Sequence, residues 1–388
     1  MDNNVNHFGA DLDAVADIAE SVKRFAQREI APHVTQWDDA GEFPRALYRQ
    51  AADLGLLALG YPEELGGTPA SWRLRNAMTV SLCRYGGSGG VLASLFSHNI
   101  GLPPVLHHGP EALQQAVIPA VLRGEKIAAL AITEPGGGSD VAALRTTARR
   151  DGADYVIDGE KVFITSGMRA DYITLAVRTG EGKGAGGISM ILVPGNSPGL
   201  SRRALQKMGW WCSDTAHLRF DAVRVPASHL LGEEGGGFRI IMGNFNGERL
   251  AMAAAALGFA QACYDEALDW ARQRKTFGSL LTDKQVIRHK LVDMQMRMAS
   301  TAAWVDALAD RADAGDQGAD WVAQVCMLKN HATQTMQFCA DQAVQILGGM
   351  GFMRGTKSER IYREVKVMMI GGGAEEIMKD LAARQLGL

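Results

Sequence analysis

One glutamate is a candidate for proton chemistry. Glu248 and Arg249 stand directly before fifteen residues, 250–264, that contain no charged side chain. Such a run is expected to form a helix that is buried on most of its faces. Burial without a partner raises the pKa of a carboxyl group, by up to about 3–5 units, and a raised pKa suits a base that works near neutrality. Glu248 is therefore a candidate general base, although pairing with Arg249 would give it a purely structural role.

Two glycine-rich segments could bring backbone N–H groups close to a phosphate. They are GGGSD at residues 136–140 and GGMGF at residues 348–352. Neither segment follows a strand in the G-x-G-x-x-G frame, so each alone is weak evidence for dinucleotide binding. A turn that ends a helix and a flexible loop would explain them equally well.

The composition argues against several classes of function. With a net charge of -3 and a pI near 6.3, the chain lacks the basic surplus that nucleic acid binding usually requires. The five cysteines contain no C-x-x-C pair, and His98, His107 and His108 have no ligand partners at suitable spacing, so we expect no metal. No secretory signal or membrane-spanning run is recognisable, and we expect a reducing, cytoplasmic location.

The elements that must position these residues follow in the order helices, strands, helices. Helices are predicted at 12–34 and 46–59, then strands at 155–167, 171–177, 188–194 and 217–226, and finally helices at 238–274, 284–312, 319–347 and 374–385. This order indicates an α+β architecture and does not fit the repeating strand-helix units of a Rossmann fold. We expect domains at 1–125, 126–235 and 236–388.

Four separated segments together resemble the acyl-CoA dehydrogenase family, in the family's own order. They are LAITEPGGGSD at 130–140, KVFIT at 161–165, KMGWWCSDT at 207–215 with LGEEGGGF at 231–238, and RKTFG at 274–278 with QILGGMGF at 345–352. The resemblance runs from about Phe25 to the C-terminus. It implies an N-terminal helical domain, a central β-barrel-like domain and a C-terminal four-helix bundle.

The resemblance implies FAD as the cofactor, bound between subunits. The first set of residues expected at the flavin is Ile132, Thr133, Gly138, Ser139, Phe163 and Thr165. Phe163 stands where the family more often has tryptophan. The set expected to reach the pyrophosphate and adenosine, much of it from a neighbouring subunit, is Arg274, Phe277, Gln285, Gln345, Gly348, Gly349 and Glu376. Ala374 replaces a usual threonine there, which puts one adenosine contact in doubt.

The family carries its catalytic base at either of two positions. The commoner position, a glutamate near the C-terminus, is occupied here by Gly372. The other position, a Glu-Arg pair on a helix in isovaleryl-, long-chain- and citronellyl-type members, is similar to Glu248-Arg249. The resemblance therefore implies that Glu248 removes the α-proton of an acyl thioester, while the N–H of Gly372 and a ribityl hydroxyl of FAD hold the enolate oxygen.

Substrate and partners follow from the same resemblance. Ser139, Phe245, Arg249 and Gly371 are expected near an acyl-CoA, electron-transferring flavoprotein is the expected electron acceptor, and a homotetramer is the expected assembly. The glycines at 371–373 suggest an acyl pocket open to branched chains. Alternatives are a dehydrogenase or oxidase of a carrier-bound acyl group, a flavin monooxygenase, which would have no need of Glu248, and a DNA-binding relative, which the acidic charge disfavours.

Overall fold

The computed structural model describes residues 4–180, 182 and 184–388, and begins with a block of helices. These are α1 (Asn4–Phe25), α2 (Val34–Ala40), α3 (Ala46–Asp53), α4 (Trp72–Gly86), α5 (Gly89–Leu95), α6 (His98–Gly101), α7 (Pro103–His108) and α8 (Glu111–Leu122). Where the sequence predicts helix over 12–34, α1 passes into a π-helical turn, Ala26–Ile30. The helix predicted over 46–59 stops at Asp53, and Gly55 then adopts a φ of +73°, which glycine tolerates because it has no Cβ.

A sheet follows. Its strands are β1 (Ala128–Ala131), β2 (Thr147–Asp151), β3 (Asp154–Ile164), β4 (Tyr172–Arg178), β5 (Ile188–Pro194), β6 (Leu200–Ala204), β7 (Ala216–Pro226) and β8 (Leu230–Leu231). Their order is β6-β7-β3-β2-β4-β5-β8, with β1 beside β4. The four predicted strands are confirmed as β3, β4, β5 and β7. Because β6 and β8 end this order, the described pairing is an open sheet and not a closed barrel.

The last block is helical again, after a short hairpin of β9 (Lys275–Thr276) and β10 (Ser279–Leu280). Its helices are α9 (Gly237–Gln273), α10 (Gln285–Asp313), α11 (Ala319–Leu347), α12 (Gly349–Phe352), α13 (Lys357–Ile370) and α14 (Glu375–Leu386). The four predicted helices are confirmed as α9, α10, α11 and α14, whereas α13 was not predicted. Helices α9, α10, α11 and α13 pack around one core, as the bundle prediction requires.

Small residues let the neighbouring helices approach α9 closely. Ala253, Ala256 and Ala260 are completely buried in the bundle core. On the side facing α4, a Cβ added at Gly258 would lie 2.5 Å from the carbonyl oxygen of Val80, and one added at Gly247 would lie 2.8 Å from the Trp72 ring. The part of α9 around Glu248 is therefore held between the first helical block and the bundle.

Candidate active site

Glu248 lies on α9 with part of its carboxylate buried. Its Oε2 atom is buried and has no hydrogen-bond partner among the described residues. Burial raises the pKa of Glu248 to about 7, although the positive charges of Arg249 and Lys329 oppose the shift. A pKa near the working pH suits a group that must accept a proton from a weakly acidic C–H bond.

Gly372 lies next to Glu248 in the turn that joins α13 to α14. A Cβ built at Gly372 would lie 3.9 Å from Oε1 of Glu248 and 2.8 Å from Sδ of Met252. The φ angle of Gly372 is +66° and that of Gly373 is +117°, both values that side-chain-bearing residues rarely adopt. The fold therefore brings together the two residues predicted to share the chemistry, which are far apart in the chain.

Methionine side chains occupy part of the space beside the glycines of this turn. The space that a Gly372 side chain would fill is taken by Met252, and a Cβ at Gly373 would lie 2.3 Å from Cε of Met378. A Cβ at Gly371 would lie 3.1 Å from the carbonyl oxygen of Val367. Flexible methionine side chains thus line the space beside the turn, and the suggestion that residues 371–373 open the acyl pocket to branched chains stays a prediction.

Arg249 makes its hydrogen bonds to Gly372 and Asn246 and not to Glu248. Only 4% of the residue is exposed, and its Nε donates to the carbonyl oxygen of Gly372 (3.0 Å) while Nη1 donates to Oδ1 of Asn246 (3.1 Å). Its guanidinium also lies 5.5 Å from the ring centre of Phe245. Arg249 thus holds the turn, and the proposed contacts of Arg249 and Phe245 with CoA stay predictions.

Sequence reasoning missed Lys329, the second cation near Glu248. It lies on α11, has no exposed surface, and donates from Nζ to the carbonyl oxygens of Met369 (2.9 Å) and Gly373 (2.8 Å). Burial lowers its pKa to about 8, with Arg249 acting in the same direction and Glu248 opposing it. The sequence did hold a signal, because Lys329 stands among the apolar positions of a long helix. Lysine is rarely buried at such positions without a partner.

A third buried cation anchors the loop after β1. Lys161, on β3, donates to the carbonyl oxygen of Ile132 (2.9 Å) and to Oε1 of Glu134 (2.8 Å). Glu134 also accepts from the backbone N–H groups of Arg145 (2.6 Å) and Thr146 (2.8 Å). The side chain of Ile132 packs in the core, so any contact of Ile132 with a cofactor would come mainly from its backbone.

The loop at 133–139 forms an exposed surface with the end of β3. The N–H of Val162 donates to the carbonyl oxygen of Thr133 (2.9 Å), and the next residue, Phe163, is 68% exposed at a φ of +62°. Ser139 and Gly138 are exposed, and a Cβ at Gly136 would meet nothing within 4 Å. An exposed aromatic ring beside exposed glycine backbone could stack on a planar aromatic group. Thr165, two residues after Phe163, is half-buried.

The remaining predicted cofactor residues lie on other parts of the surface. Phe277 is fully exposed in the β9–β10 hairpin after Arg274, and Gly348 and Gly349 stand at the end of α11 with nothing within 4 Å of an added Cβ. Gln285 begins α10, Gln345 lies in the last turn of α11, and Glu376 lies in the first turn of α14. No hydrogen bond or ion pair between described residues joins this set to the 133–139 loop, so its sharing of one cofactor across subunits stays a prediction.

Other kinds of site find no support in the described ranges. No group of three or more histidine, cysteine or acidic residues there could hold a metal ion. All five cysteines are free and buried. Within the same residues, no helix is long and apolar enough to cross a bilayer.

Comparison with known proteins gives one consistent result along the chain. Family models match the N-terminal domain of acyl-CoA dehydrogenase at residues 13–125, the middle domain at 129–223 and the C-terminal domain at 235–387. The mitochondrial long-chain specific acyl-CoA dehydrogenase of Mus musculus is 36% identical over 375 residues, covering 95% of this chain and 85% of that protein. The cyclohexane-1-carbonyl-CoA dehydrogenase of Geobacter metallireducens is 35% identical over 371 residues, covering 95% and 96%. A solved structure of a probable acyl CoA dehydrogenase from Mycobacterium abscessus superposes with a TM-score of 0.93 at 46% identity, covering 96% of this chain and 98% of that one.

Proposed function

Because the chain belongs to the acyl-CoA dehydrogenase family, whose members are FAD-dependent oxidoreductases acting on CH–CH bonds, we propose that it converts an acyl-CoA to a trans-2-enoyl-CoA with Glu248 as the base. The observation that carries this proposal is the buried Oε2 of Glu248, which has no partner among the described residues and whose carboxylate lies near Gly372. An unpartnered buried carboxylate costs free energy. That cost is understandable where the missing partner is a substrate proton.

The protein's part in the reaction is to move one proton and to hold one oxygen. Glu248 accepts the α-proton of the thioester, and the charge left behind moves to the thioester oxygen. The N–H of Gly372 donates a hydrogen bond to that oxygen, which is the kind of contact whose loss costs about 2.7–4 kcal/mol of barrier. FAD, when bound, accepts the β-hydrogen together with its electron pair.

The same glycine explains why only one carboxylate serves as base. A glutamate at position 372 would need a φ of +66° and would place a second carboxylate beside Glu248, where two like charges disfavour each other's ionisation. Glycine at position 372 has no carboxylate of its own but keeps its backbone N–H. Glu248 is thus the acidic residue that we assign to the α-proton.

The residues assigned to FAD form two sets. Phe163 and Thr165 would lie against the flavin ring, with the backbone at Ile132, Thr133 and Gly138 and the hydroxyl of Ser139 along its edge. The glycines at 348–349 would approach the phosphates through their N–H groups. Arg274, Phe277, Gln285, Gln345 and Glu376 complete the second set, which we assign to a neighbouring subunit's cofactor.

Assembly and partners extend the proposal. A homotetramer would pair the two sets of cofactor residues, electron-transferring flavoprotein would receive the electrons, and the cytoplasm would be the site of action. We place the domain boundaries at 125/126 and 235/236, because α8 ends at Leu122, β1 begins at Ala128, β8 ends at Leu231 and α9 begins at Gly237. Ser139 and Gly371 are the further residues that we assign to the acyl-CoA.

Reduction of the bound flavin by a substrate tests the proposal. The FAD-loaded protein is mixed anaerobically with straight-chain, branched and cyclic acyl-CoAs, and with the same acyl groups on a carrier protein, while the flavin absorbance is followed. Bleaching by at least one acyl-CoA supports the proposal and identifies the preferred acyl group. Bleaching by carrier-bound thioesters alone would replace it with the alternative, and bleaching by neither would refute both.

A further inference from the structure

Lys329 is a buried lysine whose partners are all carbonyl oxygens. Its Nζ donates to Met369 and to Gly373, at 2.9 and 2.8 Å, and among the described residues it forms no ion pair within 4.0 Å of a carboxylate. A lysine without exposed surface and without a carboxylate partner is costly to bury. Such a residue calls for an explanation beyond packing.

The carbonyls that Lys329 binds lie on both sides of Gly372. Met369 belongs to the last turn of α13, and Gly373 stands just before α14. Arg249 binds the carbonyl of Gly372 itself, so two cations from α9 and α11 hold one turn by three hydrogen bonds. Three successive glycines give this turn many accessible backbone conformations, and these bonds select one of them.

The same two cations set the charge around the reaction. With Glu248 ionised, Glu248, Arg249 and Lys329 together carry one net positive charge. Glu375 also acts on Lys329, but its carboxylate accepts hydrogen bonds from Gln334 and Lys379 near the surface. When a proton passes from the substrate to Glu248, that carboxylate becomes neutral and the negative charge appears on the thioester oxygen. The two cations remain in place behind the turn, and fixed positive charge close to a developing oxyanion stabilises it.

We propose that Lys329 is a positioning residue for the α-proton transfer: it fixes the 369–373 turn so that the N–H of Gly372 meets the thioester oxygen, and it supplies positive charge behind that turn. The inference rests on the proposed function. Lys329 touches neither the substrate nor the cofactor in this account, and it acts through Gly372.

A thioester that ionises but cannot be oxidised isolates this step. An acyl-CoA with sulfur in place of the β-carbon has an acidic α-proton and no β-hydrogen to transfer, and its anion gives a long-wavelength absorption band beside the oxidised flavin. The apparent pKa of the bound analogue is read from this band in the FAD-loaded wild type and in Lys329→Met, Lys329→Gln and Lys329→Arg. The kcat and KM for a true substrate are measured alongside.

Lys329→Met is expected to raise the pKa of the bound analogue by about one unit or more, and to lower kcat by about tenfold or more with a smaller change in KM. Lys329→Arg keeps the charge and is expected to recover part of both effects. Should Lys329→Met fail to fold, Lys329→Gln, which keeps a donor and loses the charge, is expected to raise the pKa of the analogue in the same direction.

The control is Lys357→Met. Lys357 is a half-buried lysine, and its Nζ donates to the carbonyl oxygen of Tyr85 (3.0 Å), outside the candidate active site. Its loss should lower the stability of the protein without changing the pKa of the analogue. If the wild type ionises the analogue and the folded Lys329 variants do so with an unchanged pKa, the inference is overturned. If the FAD-loaded wild type ionises no analogue, the proposed function itself fails.

Discussion

Two glutamates lie near buried lysines in this protein, and their surroundings differ in one decisive respect. Glu134 accepts hydrogen bonds from Lys161 and from two backbone N–H groups. Burial alone would raise its pKa, but these partners outweigh burial and lower it. Glu248 has an oxygen with no partner among the described residues, and burial raises its pKa to about 7.

The lysines differ in the same way. Lys161 contacts its glutamate directly, whereas Lys329 binds backbone carbonyls and acts on Glu248 only through its charge. A carboxylate with all its hydrogen bonds made stabilises a loop. A carboxylate that lacks a partner keeps the capacity to accept a proton. We therefore assign a structural role to Glu134 and a catalytic role to Glu248.

The largest effect on stability is expected where the buried pair is broken. Lys161→Met leaves Glu134 in a site with little access to water, and removing one partner of a buried pair typically costs about 3–5 kcal/mol. The free energy of unfolding by urea measures the loss. The control is Lys126→Met, which breaks the exposed pair with Asp171 and should cost about 0–1 kcal/mol. Equal losses in the two variants would contradict the contrast between buried and surface pairs.

Substitution of Gly372 is expected to disturb the other site. Gly372→Ala imposes a Cβ on a residue with φ +66° and pushes against Met252, so kcat should fall by about tenfold or more, since misplacement by about 1 Å can cost about 10²-fold. Gly152→Ala is the matched control, because Gly152 has φ +61° and an added Cβ there meets nothing within 4 Å. Both variants should lose about 1–2 kcal/mol of stability from the left-handed backbone. An unchanged kcat in Gly372→Ala would remove Gly372 from the site.

The pH dependence of activity follows from the raised pKa of Glu248. Only the carboxylate form accepts a proton, so kcat/KM should rise with pH through about 7, by about fivefold between pH 6 and pH 7, and should fall above about pH 8, where Lys329 loses its charge. A steady-state profile of kcat/KM against pH tests this, and Glu248→Gln should lack the rising limb. If the profile rose instead near pH 4.5, the ordinary pKa of glutamate, burial would not raise the pKa of the base.

The smallest effect is expected at the exposed ring on the cofactor side. Phe163→Ala should weaken FAD binding by about 2–10-fold, because an aromatic contact contributes about 0.5–1.5 kcal/mol beyond its buried area. Phe163→Trp should retain the affinity. Quenching of flavin fluorescence during reconstitution of the protein gives the Kd, and an unchanged Kd in Phe163→Ala would place the ring away from FAD.

The sequence predicted best where a signal was local. The uncharged run after Arg249 predicted a buried helix, and α9 is that helix; the long strands β3 and β7 showed their alternation of polar and apolar residues. Strands β2 and β6 were missed because they are short and mostly exposed, and β1 because four apolar residues fit either kind of element.

Long-range contacts were beyond local patterns. That Gly372 faces Glu248 came from the resemblance alone, since more than a hundred residues separate them. The role of Lys329 could not be predicted, because a lysine on a helix is usually solvated and its partners are carbonyls of a turn some forty residues later. Met252 filling the space beside Gly372 likewise depends on how α9 packs against the turn between α13 and α14.

The central claim, that Glu248 is the base, is tested most directly by a single anaerobic turnover. The rate of flavin bleaching by the best acyl-CoA is compared in the wild type, Glu248→Gln and Glu364→Gln. Glu364 is an apt control, because burial raises its pKa to about 7 as well, yet it accepts hydrogen bonds from the N–H groups of Gly89 (2.8 Å) and Trp210 (3.2 Å). We predict that Glu248→Gln binds FAD normally and bleaches about 10²-fold more slowly or worse, while Glu364→Gln keeps the wild-type rate. Bleaching by Glu248→Gln at the wild-type rate would contradict the account.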